Sequence, residues 1–294
     1  MKKLHTVTIL IPAFNEERNI SRVLRAVASQ QCSDFKLERI IVVSDGSTDA
    51  TVRKVTEEQI SKLEVKAYRE RRGKAFRLAQ SYRFIRSDVI VQIDADVQIY
   101  DKFFLQKLIK PITKQVASLT GANAVPLPGA TLVEKAVNVS VAPYARMRRY
   151  VPSLSIGPVL AFTKTLVRNL QYPSTVVGED IYLYFHCLSQ KLRYKYVQSA
   201  IVYYRSPNNI SDHIQQSIRF LTAPYDIRNY YSLELVRKED SIPMLLYLYE
   251  TGKVFIRHPF LSTFIFIINK YCLLLAAARK QREQKWGTAI STKS

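Results

Sequence analysis

Two acidic residues stand directly after an apolar stretch of the chain. Asp94 and Asp96 follow the β-branched run Val89–Ile93, which predicts a buried strand of a parallel sheet. Ligands of open α/β sheets bind beyond the carboxyl ends of the strands, and backbone alternation should point both acids the same way. Convergent carboxylates can hold a divalent cation, and the cation can hold a diphosphate. Taken alone, an Asp-x-Asp pair is more often a helix cap or part of a turn.

A second acidic pair, Glu179 and Asp180, opens the aromatic segment Ile181–Leu188, which predicts a helix. A carboxylate at such a position can act as a general base. The same two acids could instead stabilise the helix N-terminus by their charge, so both interpretations stay open on these residues alone.

Polar segments also follow the strands predicted earlier in the chain. These strands, each with the segment that follows it, are Thr6–Phe14 with Asn15-Glu16-Glu17, Ile40–Val43 with Ser44–Asp49, and Leu63–Tyr68 with Arg69–Lys74. Amphipathic helices separate the strands, and Asn15 is the predicted N-cap of the first helix. This alternation predicts a mostly parallel α/β sheet flanked by helices. Polar residues at its carboxyl edge are typical of a nucleotide-binding crevice.

The chain beyond residue 100 follows a less regular pattern. We expect strands at Val116–Thr120, Val159–Phe162 and Tyr194–Tyr204, and helices at Phe103–Ile109, Leu132–Tyr150 and from Ser211 onward. Pro111 is expected to end the first of these helices, because proline lacks a backbone N–H.

A net charge of +20, from 44 Lys and Arg against 24 Asp and Glu, calls for a polyanionic partner or surface. Nucleic acid is the weakest candidate, since no recognised binding module is visible, and we expect none to bind. Basic clusters at Arg69–Lys74, Arg146–Arg149 and Arg279–Arg282 favour an anionic membrane surface. Three widely spaced cysteines indicate a reducing compartment. Together these features predict the cytoplasmic face of a membrane.

The apolar segment Pro259–Ala278 is long enough to span a bilayer as a helix. Helical spacing places Ser262 with Asn269 and Thr263 with Lys270 on one polar stripe, with the apolar side chains on another face. This pattern predicts an interfacial helix, peripheral or anchoring, whose basic continuation meets anionic headgroups. A true span and a helix packed on the catalytic domain are the alternatives.

The motifs occur together in an order that resembles the family-2 glycosyltransferases, inverting enzymes of the GT-A fold. The resemblance covers roughly residues 6–220, and each motif is weak without the others. The matching segments are Pro12-Ala13-Phe14-Asn15-Glu16-Glu17, Ser44-Asp45-Gly46-Ser47-Thr48-Asp49, Gly73-Lys74-Ala75, Asp94-Ala95-Asp96, Glu179-Asp180 and Gln216-Ser217-Ile218-Arg219-Phe220.

The resemblance implies a role for each matching position. It assigns the nucleoside pocket to Pro12, Ala13, Phe14 and Glu16, the base to Asp45, the base or phosphates to Lys74, and the donor-sugar side to Asp94 and Ala95. It makes Asp96 the ligand of Mg²⁺ or Mn²⁺ and Asp180 the catalytic base. Arg219 would hold the diphosphate. Glu179, Gln216, Phe220 and His213 are further acceptor or diphosphate candidates, with Phe220 standing where polymerising members have Trp.

The expected enzyme transfers a sugar from a nucleotide-diphosphate sugar, a UDP-sugar by preference, to a lipid-linked or glycan acceptor. Residues 1–235 would form the catalytic domain, divided at residue 100 into nucleotide-sugar and acceptor halves, and residues 236–294 a membrane-associated helical tail. A sugar-nucleotide pyrophosphorylase is the alternative enzyme, although it would want a Gly-rich, Arg-containing loop after the first strand. A dinucleotide-dependent dehydrogenase lacks its G-x-G-x-x-G there. A non-catalytic basic membrane-surface protein is the remaining alternative.

Overall fold

The computed structural model describes residues 4–173, 176, 178–278 and 290–293, apart from the side chains of 223–226, 290 and 293. Its strands form one seven-stranded sheet in the order β3-β2-β1-β4-β6-β5-β7. Their bounds are β1 His5–Ala13, β2 Phe35–Asp45, β3 Leu63–Tyr68, β4 Val89–Ile93, β5 Leu119–Pro126, β6 Val159–Thr163 and β7 Tyr194–Tyr204. β6 is antiparallel to both of its neighbours, whereas the other pairings are parallel. The carboxyl ends of all these strands except β6 therefore meet at one edge.

Helices connect and cover the strands. Their bounds are α1 Ile20–Ala28, α2 Thr51–Glu57, α3 Lys74–Phe84, α4 Phe104–Thr113, α5 Leu132–Met147, α6 Lys164–Val167, α7 Glu179–Ser189, α8 Ile210–Ile227, α9 Leu233–Asp240, α10 Met244–Arg257 and α11 Pro259–Ala278. Short 3₁₀ segments lie at Pro152–Ser155 and Ile290–Lys293.

Both faces of the sheet are buried, which explains why its central strands are apolar throughout. Along β4, Val89, Val91 and Ile93 pack into one core together with α1 and α4, while Ile90 packs into a second core with α3 and α7. Strands that alternate between two buried faces need apolar residues at nearly every position. The polar residues are therefore displaced to the strand ends, at the edge of the sheet where a crevice can form.

Three sequence-based predictions of local structure are wrong. Asn15 does not cap α1: its backbone has a positive φ of 54° and its side chain accepts from Thr48 N, while the helix begins later, at Ile20. α4 continues through Pro111 to Thr113, because a proline in the last turn sacrifices a single hydrogen bond. The fifth strand begins at Leu119 and runs to Pro126, well beyond the predicted range, because pairing with β7 extends it.

The C-terminal helices pack against the rest of the fold. α11 contacts α5 and α8, and its buried residues are Ile265 and Cys272. Asn269, about one turn from each, accepts a hydrogen bond from the His213 imidazole on α8 at 2.8 Å. The predicted polar stripe is thus divided, because Asn269 faces the protein whereas Lys270 and Thr263 are exposed. The basic segment Arg279–Arg282 lies outside the described residues.

α11 also has the length and the apolar composition of a membrane-crossing helix, with a mean hydropathy of 1.8 over its most apolar window. Core helices of soluble proteins can have the same length and composition, so these two properties alone do not show that α11 crosses a membrane. Its outer face, together with that of α10, exposes large apolar side chains. The most exposed of these are Leu245, Ile256, Leu274, Met244 and Phe260. One side of this helical pair is therefore docked on protein while the other side is exposed in this structure.

Candidate active site

The acids that end β4 and the acids that begin α7 meet at one lysine. The ammonium of Lys74, the first residue of α3, lies 2.7 Å from Asp94 Oδ1 and 2.5 Å from Glu179 Oε1. The two carboxylates come from segments far apart in the chain, and both are largely shielded from solvent. A single cation bound by two carboxylates holds the strand end and the helix start in a fixed arrangement.

Burial and neighbouring charges set the protonation of this cluster. Burial alone would lower the pKa of Lys74, but Asp94 and Glu179 outweigh it and raise that pKa above its ordinary value. Burial raises the pKa of Asp94 to about 6, with further upward contributions from Asp96 and Glu179. For Glu179, burial is outweighed by the charge of Lys74, so its pKa falls below the ordinary value. Lys74 and Glu179 are thus ionised near neutral pH.

Asp180, the predicted base, has the property that a base requires. Burial and the charge of Glu179 raise its pKa to about 6, while Lys74 partly opposes the shift. Its Oδ1 accepts a hydrogen bond from Ile181 N at 2.8 Å, which orients the carboxylate at the start of α7. A carboxylate with a pKa near the working pH can accept a proton in one step and release it afterwards.

Asp45 lies at the end of β2, as predicted. Its carboxylate accepts hydrogen bonds from other residues of the protein. Its Oδ1 accepts from Arg72 N at 2.8 Å and Arg77 Nε at 2.7 Å, and its Oδ2 accepts from Gly73 N at 2.7 Å. Only 5% of Asp45 is exposed. A carboxylate can accept about four hydrogen bonds, so the contact with a nucleobase stays a prediction.

The predicted nucleoside-pocket residues lie at the end of β1. Phe14 is covered by the guanidinium of Arg71, whose central carbon lies 3.9 Å from the ring centre. Glu16 is buried, and its carboxylate accepts from the Asn19 amide at 3.0 Å, so it braces the start of α1. Pro12 and Ala13 are the last residues of the strand, where Ala13 is paired with Ser44 of β2.

The predicted site residues on α8 lie in two different environments. Arg219 acts on the acidic cluster, because its charge contributes, after burial and Lys74, to the pKa of Glu179. Gln216 is half-exposed on the same helix, and Phe220 is 59% exposed. His213 points elsewhere: its imidazole is bound to Asn269 of α11, and burial lowers its pKa. The structure thus shows His213 in a contact between helices, and its role at the diphosphate stays a prediction.

The described residues contain no group of three or more His, Cys, Asp or Glu side chains arranged to hold a metal ion. The donor set nevertheless fits a metal that arrives with a diphosphate, since Mg²⁺ typically binds one or two carboxylates and completes its shell with phosphates and water. Asp96 is the predicted metal ligand, and Asp94 beside it is paired with Lys74. Ala95 between them is buried, which fixes the turn that presents both acids.

Several residues near the site belong to none of the sequence motifs. Arg77 stands one helical turn after Lys74, and this i, i+3 spacing on α3 is the signal that could have indicated it. Tyr82 and Tyr172 lie within 3.5 Å of each other through their hydroxyls. Burial raises the pKa of Tyr172, and the charges of Glu179 and Asp180 add to this shift, which places Tyr172 beside the acids. No sequence pattern distinguishes it among the chain's 18 tyrosines.

Residues 8–153 match the family model described as "Glycosyl transferase family 2". A curated relative, the probable glycosyltransferase YdaM of Bacillus subtilis (strain 168), is 24% identical over 287 residues, covering 92% of this chain and 68% of the relative. The dolichol-phosphate mannosyltransferase of Mycosarcoma maydis is 30% identical over 102 residues, covering 31% of this chain and 33% of the relative.

Solved structures show the same fold. The mannosyltransferase PcManGT from Pyrobaculum calidifontis, in complex with GDP-Man and Mn²⁺, is similar with a TM-score of 0.61 at 19% identity, covering 95% of this chain and 77% of that one. Glucosyl-3-phosphoglycerate synthase from Mycobacterium tuberculosis, with Mn²⁺, UDP and phosphoglyceric acid, has a TM-score of 0.52 at 18% identity, covering 74% of this chain and 78% of that one. At such identities the likeness speaks for the fold alone.

The sheet order, the acidic crevice and these likenesses define a glycosyltransferase with a GT-A-like fold. The chain belongs to glycosyl transferase family 2. This membership supports a glycosyltransferase over the pyrophosphorylase and over the non-catalytic alternative raised by the sequence.

Proposed function

We propose that the enzyme is a metal-dependent, inverting glycosyltransferase that uses a nucleotide-diphosphate sugar, a UDP-sugar by preference. Its acceptor is lipid-linked or a growing glycan, and it works at the cytoplasmic face of a membrane. The observation that supports this most directly is the shared lysine. Lys74 brings Asp94, at the end of β4, and Glu179, beside the proposed base, to a single ammonium.

We expect inversion, because the proposal assigns Asp180 as a base and assigns no nucleophile to the enzyme. Asp180 takes the proton of the acceptor hydroxyl as that oxygen attacks the anomeric carbon, so no covalent enzyme intermediate is needed. A raised pKa of about 6 leaves Asp180 ionised at neutral pH, yet basic enough to accept the proton. Attack opposite the leaving diphosphate inverts the configuration.

Negative charge develops on the diphosphate as it leaves, and cations must offset it. Asp96 is the proposed carboxylate for Mg²⁺ or Mn²⁺, which when bound would supply Lewis-acid stabilisation of that charge. Arg219 is the proposed second cation, since its charge already acts on the neighbouring Glu179. Both similar structures named above contain Mn²⁺ and a guanosine or uridine nucleotide.

The outer face of α10 and α11 supports the membrane part of the proposal. Leu245 is 83% exposed and Ile256 is 82% exposed, and they lie on one face of α10. A shallow cavity of about 190 Å³ between α5 and α10 is lined by Arg146, Arg257 and His258, among others. Apolar side chains beside cationic groups match a membrane surface with anionic headgroups. The relative that carries dolichol phosphate in its name agrees with a lipid-linked acceptor.

The proposal predicts separable effects of two acidic residues. Asp180→Asn should still bind the donor but lose at least about a hundredfold in kcat, because a general base contributes that much or more. Asp96→Ala should lose Mn²⁺-dependent donor binding. Calorimetric titration of UDP and GDP, with and without Mn²⁺, measures nucleotide binding. The rate at which UDP or GDP is released from UDP-sugars or GDP-sugars measures turnover.

Asp34→Asn, a change at an exposed acid distant from the carboxyl ends of the strands, is the matched control and should leave both properties unchanged. Unchanged kcat in Asp180→Asn would show that Asp180 is not the catalytic base. A product with retained anomeric configuration, observed by NMR, would contradict direct displacement.

A further inference from the structure

The basic loop Arg69–Gly73 between β3 and α3 carries three arginines at the edge of the crevice. Two of them lie over aromatic rings, Arg71 over Phe14 at 3.9 Å and Arg72 over Phe76 at 4.2 Å. Like charges close together in a short loop repel one another, and isolated surface contacts of charged groups contribute little stability. A separate set of contacts must therefore hold this loop in place.

Asp45 supplies those contacts. Its carboxylate accepts the backbone N–H groups of Arg72 and Gly73, at 2.8 and 2.7 Å. Backbone amides bound to a carboxylate form charge-assisted hydrogen bonds, which are short and strong. The C-terminal end of the loop is thereby fixed to the end of β2.

Arg77 completes the arrangement from the first turns of α3. Its Nε donates to Asp45 Oδ1 at 2.7 Å, another guanidinium nitrogen donates to Gln80 at 3.1 Å, and its planar group lies 3.7 Å from the ring centre of Tyr68. Only 4% of Arg77 is exposed. A cation this deeply buried is retained against its desolvation cost only where its partners compensate it. It is too deeply enclosed to serve as a surface contact for substrate.

The loop is also packed tightly against the turn that follows β2. Gly46 has a φ of +73°, and a Cβ added there would lie 2.8 Å from Arg71 N. Any larger residue would therefore push the loop outward without changing the chemistry of Asp45 or Arg77.

We infer that Arg77 is a positioning residue for nucleotide binding, which acts through Asp45 and the basic loop. Together the pair holds Arg71 over Phe14 and sets the start of α3, where Lys74 meets Asp94 and Glu179. The inference rests on the proposed nucleotide site.

Calorimetric titration of UDP and of GDP in the presence of Mn²⁺ tests the inference. The variants are Arg77→Gln, Asp45→Asn, the double variant and Gly46→Ala, with Arg83→Gln as the control, an exposed arginine on the same helix. We expect each single variant to weaken both nucleotides by about tenfold, which is the effect of losing one charge-assisted contact. The ratio of the two affinities should stay constant in Arg77→Gln and in Gly46→Ala, because displacement of the loop weakens both nucleotides alike. The double variant should be about as weak as the weaker single one.

Unchanged affinity of Arg77→Gln for both nucleotides would overturn the inference. Arg77→Lys, which keeps the charge, replaces Arg77→Gln if the latter does not fold.

Hydrogen exchange at the amides of Arg72 and Gly73 gives a readout that does not need a nucleotide. These amides should be protected in the wild type and in Arg83→Gln, and should exchange faster in Arg77→Gln. If the wild type bound neither nucleotide, the proposed donor class would fail, while the exchange rates would still decide whether Arg77 fixes the loop. Equal protection in the wild type and Arg77→Gln would refute the positioning role.

Discussion

At the scale of single residues, one ammonium group decides how the acids of this site behave. Lys74 outweighs burial to lower the pKa of Glu179, and it partly opposes the upward shifts at Asp94 and Asp180. Four carboxylates placed together without it would repel one another and take up protons at higher pH. The site can hold Asp180 near its useful range because Lys74 neutralises its neighbours.

Activity should therefore fall on the acidic side of neutrality. Protonation of Asp180, with a pKa of about 6, removes the lone pair that takes up the acceptor proton. We expect kcat/KM to decrease about tenfold per pH unit below that value, or more steeply if Asp94 must also be ionised. A pH profile that is flat between about pH 5 and pH 8 would contradict a carboxylate base of this kind.

The pH dependence of stability is the control for that activity profile. Protonation of Asp180 removes activity but stabilises the fold. The pKa of Asp180 is raised on folding, so the folded chain binds more protons between the ordinary value of 3.8 and about 6. The contribution of Asp180 to the free energy of unfolding thus increases as the pH falls through this window. Circular dichroism at each pH separates loss of the base from loss of the fold.

Replacement of Lys74 by Met should move the acidic limb of the profile to higher pH. Without the ammonium, Glu179 and Asp94 lose their compensating charge and the pKa of Asp180 rises further. The measurement is kcat/KM against pH, for comparison with Lys110→Met, an exposed lysine on α4. A variant with reduced kcat but an unmoved limb would show that Lys74 has no electrostatic effect on the base.

At the scale of elements, α11 combines a docked face with an exposed one. Ile265 and Cys272 are buried against the fold, and Asn269 between them accepts the hydrogen bond from His213. A helix surrounded by lipid would not bury these residues against protein. The contact therefore favours a helix that packs on the catalytic fold and presents only its outer face to other surfaces.

Removing this contact should destabilise the protein. Asn269→Ala removes the acceptor 2.8 Å from His213 Nε2 and leaves Ser217 Oγ, 3.3 Å from the same nitrogen, as a weaker partner. We expect a loss of about 0.5–1.5 kcal/mol. Thr263→Ala, an exposed change on the same helix, should have little effect. Urea unfolding with a common m-value compares the two variants. Equal midpoints would mean that α11 is not held through this pair.

At the scale of the whole molecule, a net charge of +20 accompanies an apolar face on α10 and α11. Charge attracts the protein to an anionic surface over about a Debye length, whereas apolar side chains add affinity only on contact. The two properties should therefore be separable by salt and by substitution.

Binding to vesicles tests both contributions. The wild type should bind phosphatidylglycerol vesicles more tightly than phosphatidylcholine vesicles, and salt should weaken the binding. Leu245→Glu together with Ile256→Glu should reduce the affinity at least about tenfold, since both exposed apolar side chains become charged. Leu4→Glu, a comparable change at an exposed residue before β1, is the control. Equal binding of all three proteins would exclude α10 as the contact surface.

The alternation of strands and helices, and the polar strand ends, could be predicted because each depends on residues close together in the chain. The range of β7 was predicted to the residue, and β4 with its two acids was identified from its apolar run. The limits of α4 and β5 could not be predicted, because tertiary pairing and packing overrode local signals at Pro111 and after Thr120.

The sequence by itself determined the fold class and the family, since periodicity and motif order are recorded locally. Only the tertiary structure decided which partners the candidate site residues have. Asp45 meets Arg77 across 32 residues, and His213 meets Asn269 across 56. Lys74 joins two acids that are far apart in the chain. Pairing of side chains across such separations depends on how the backbone folds back on itself, which no local pattern specifies.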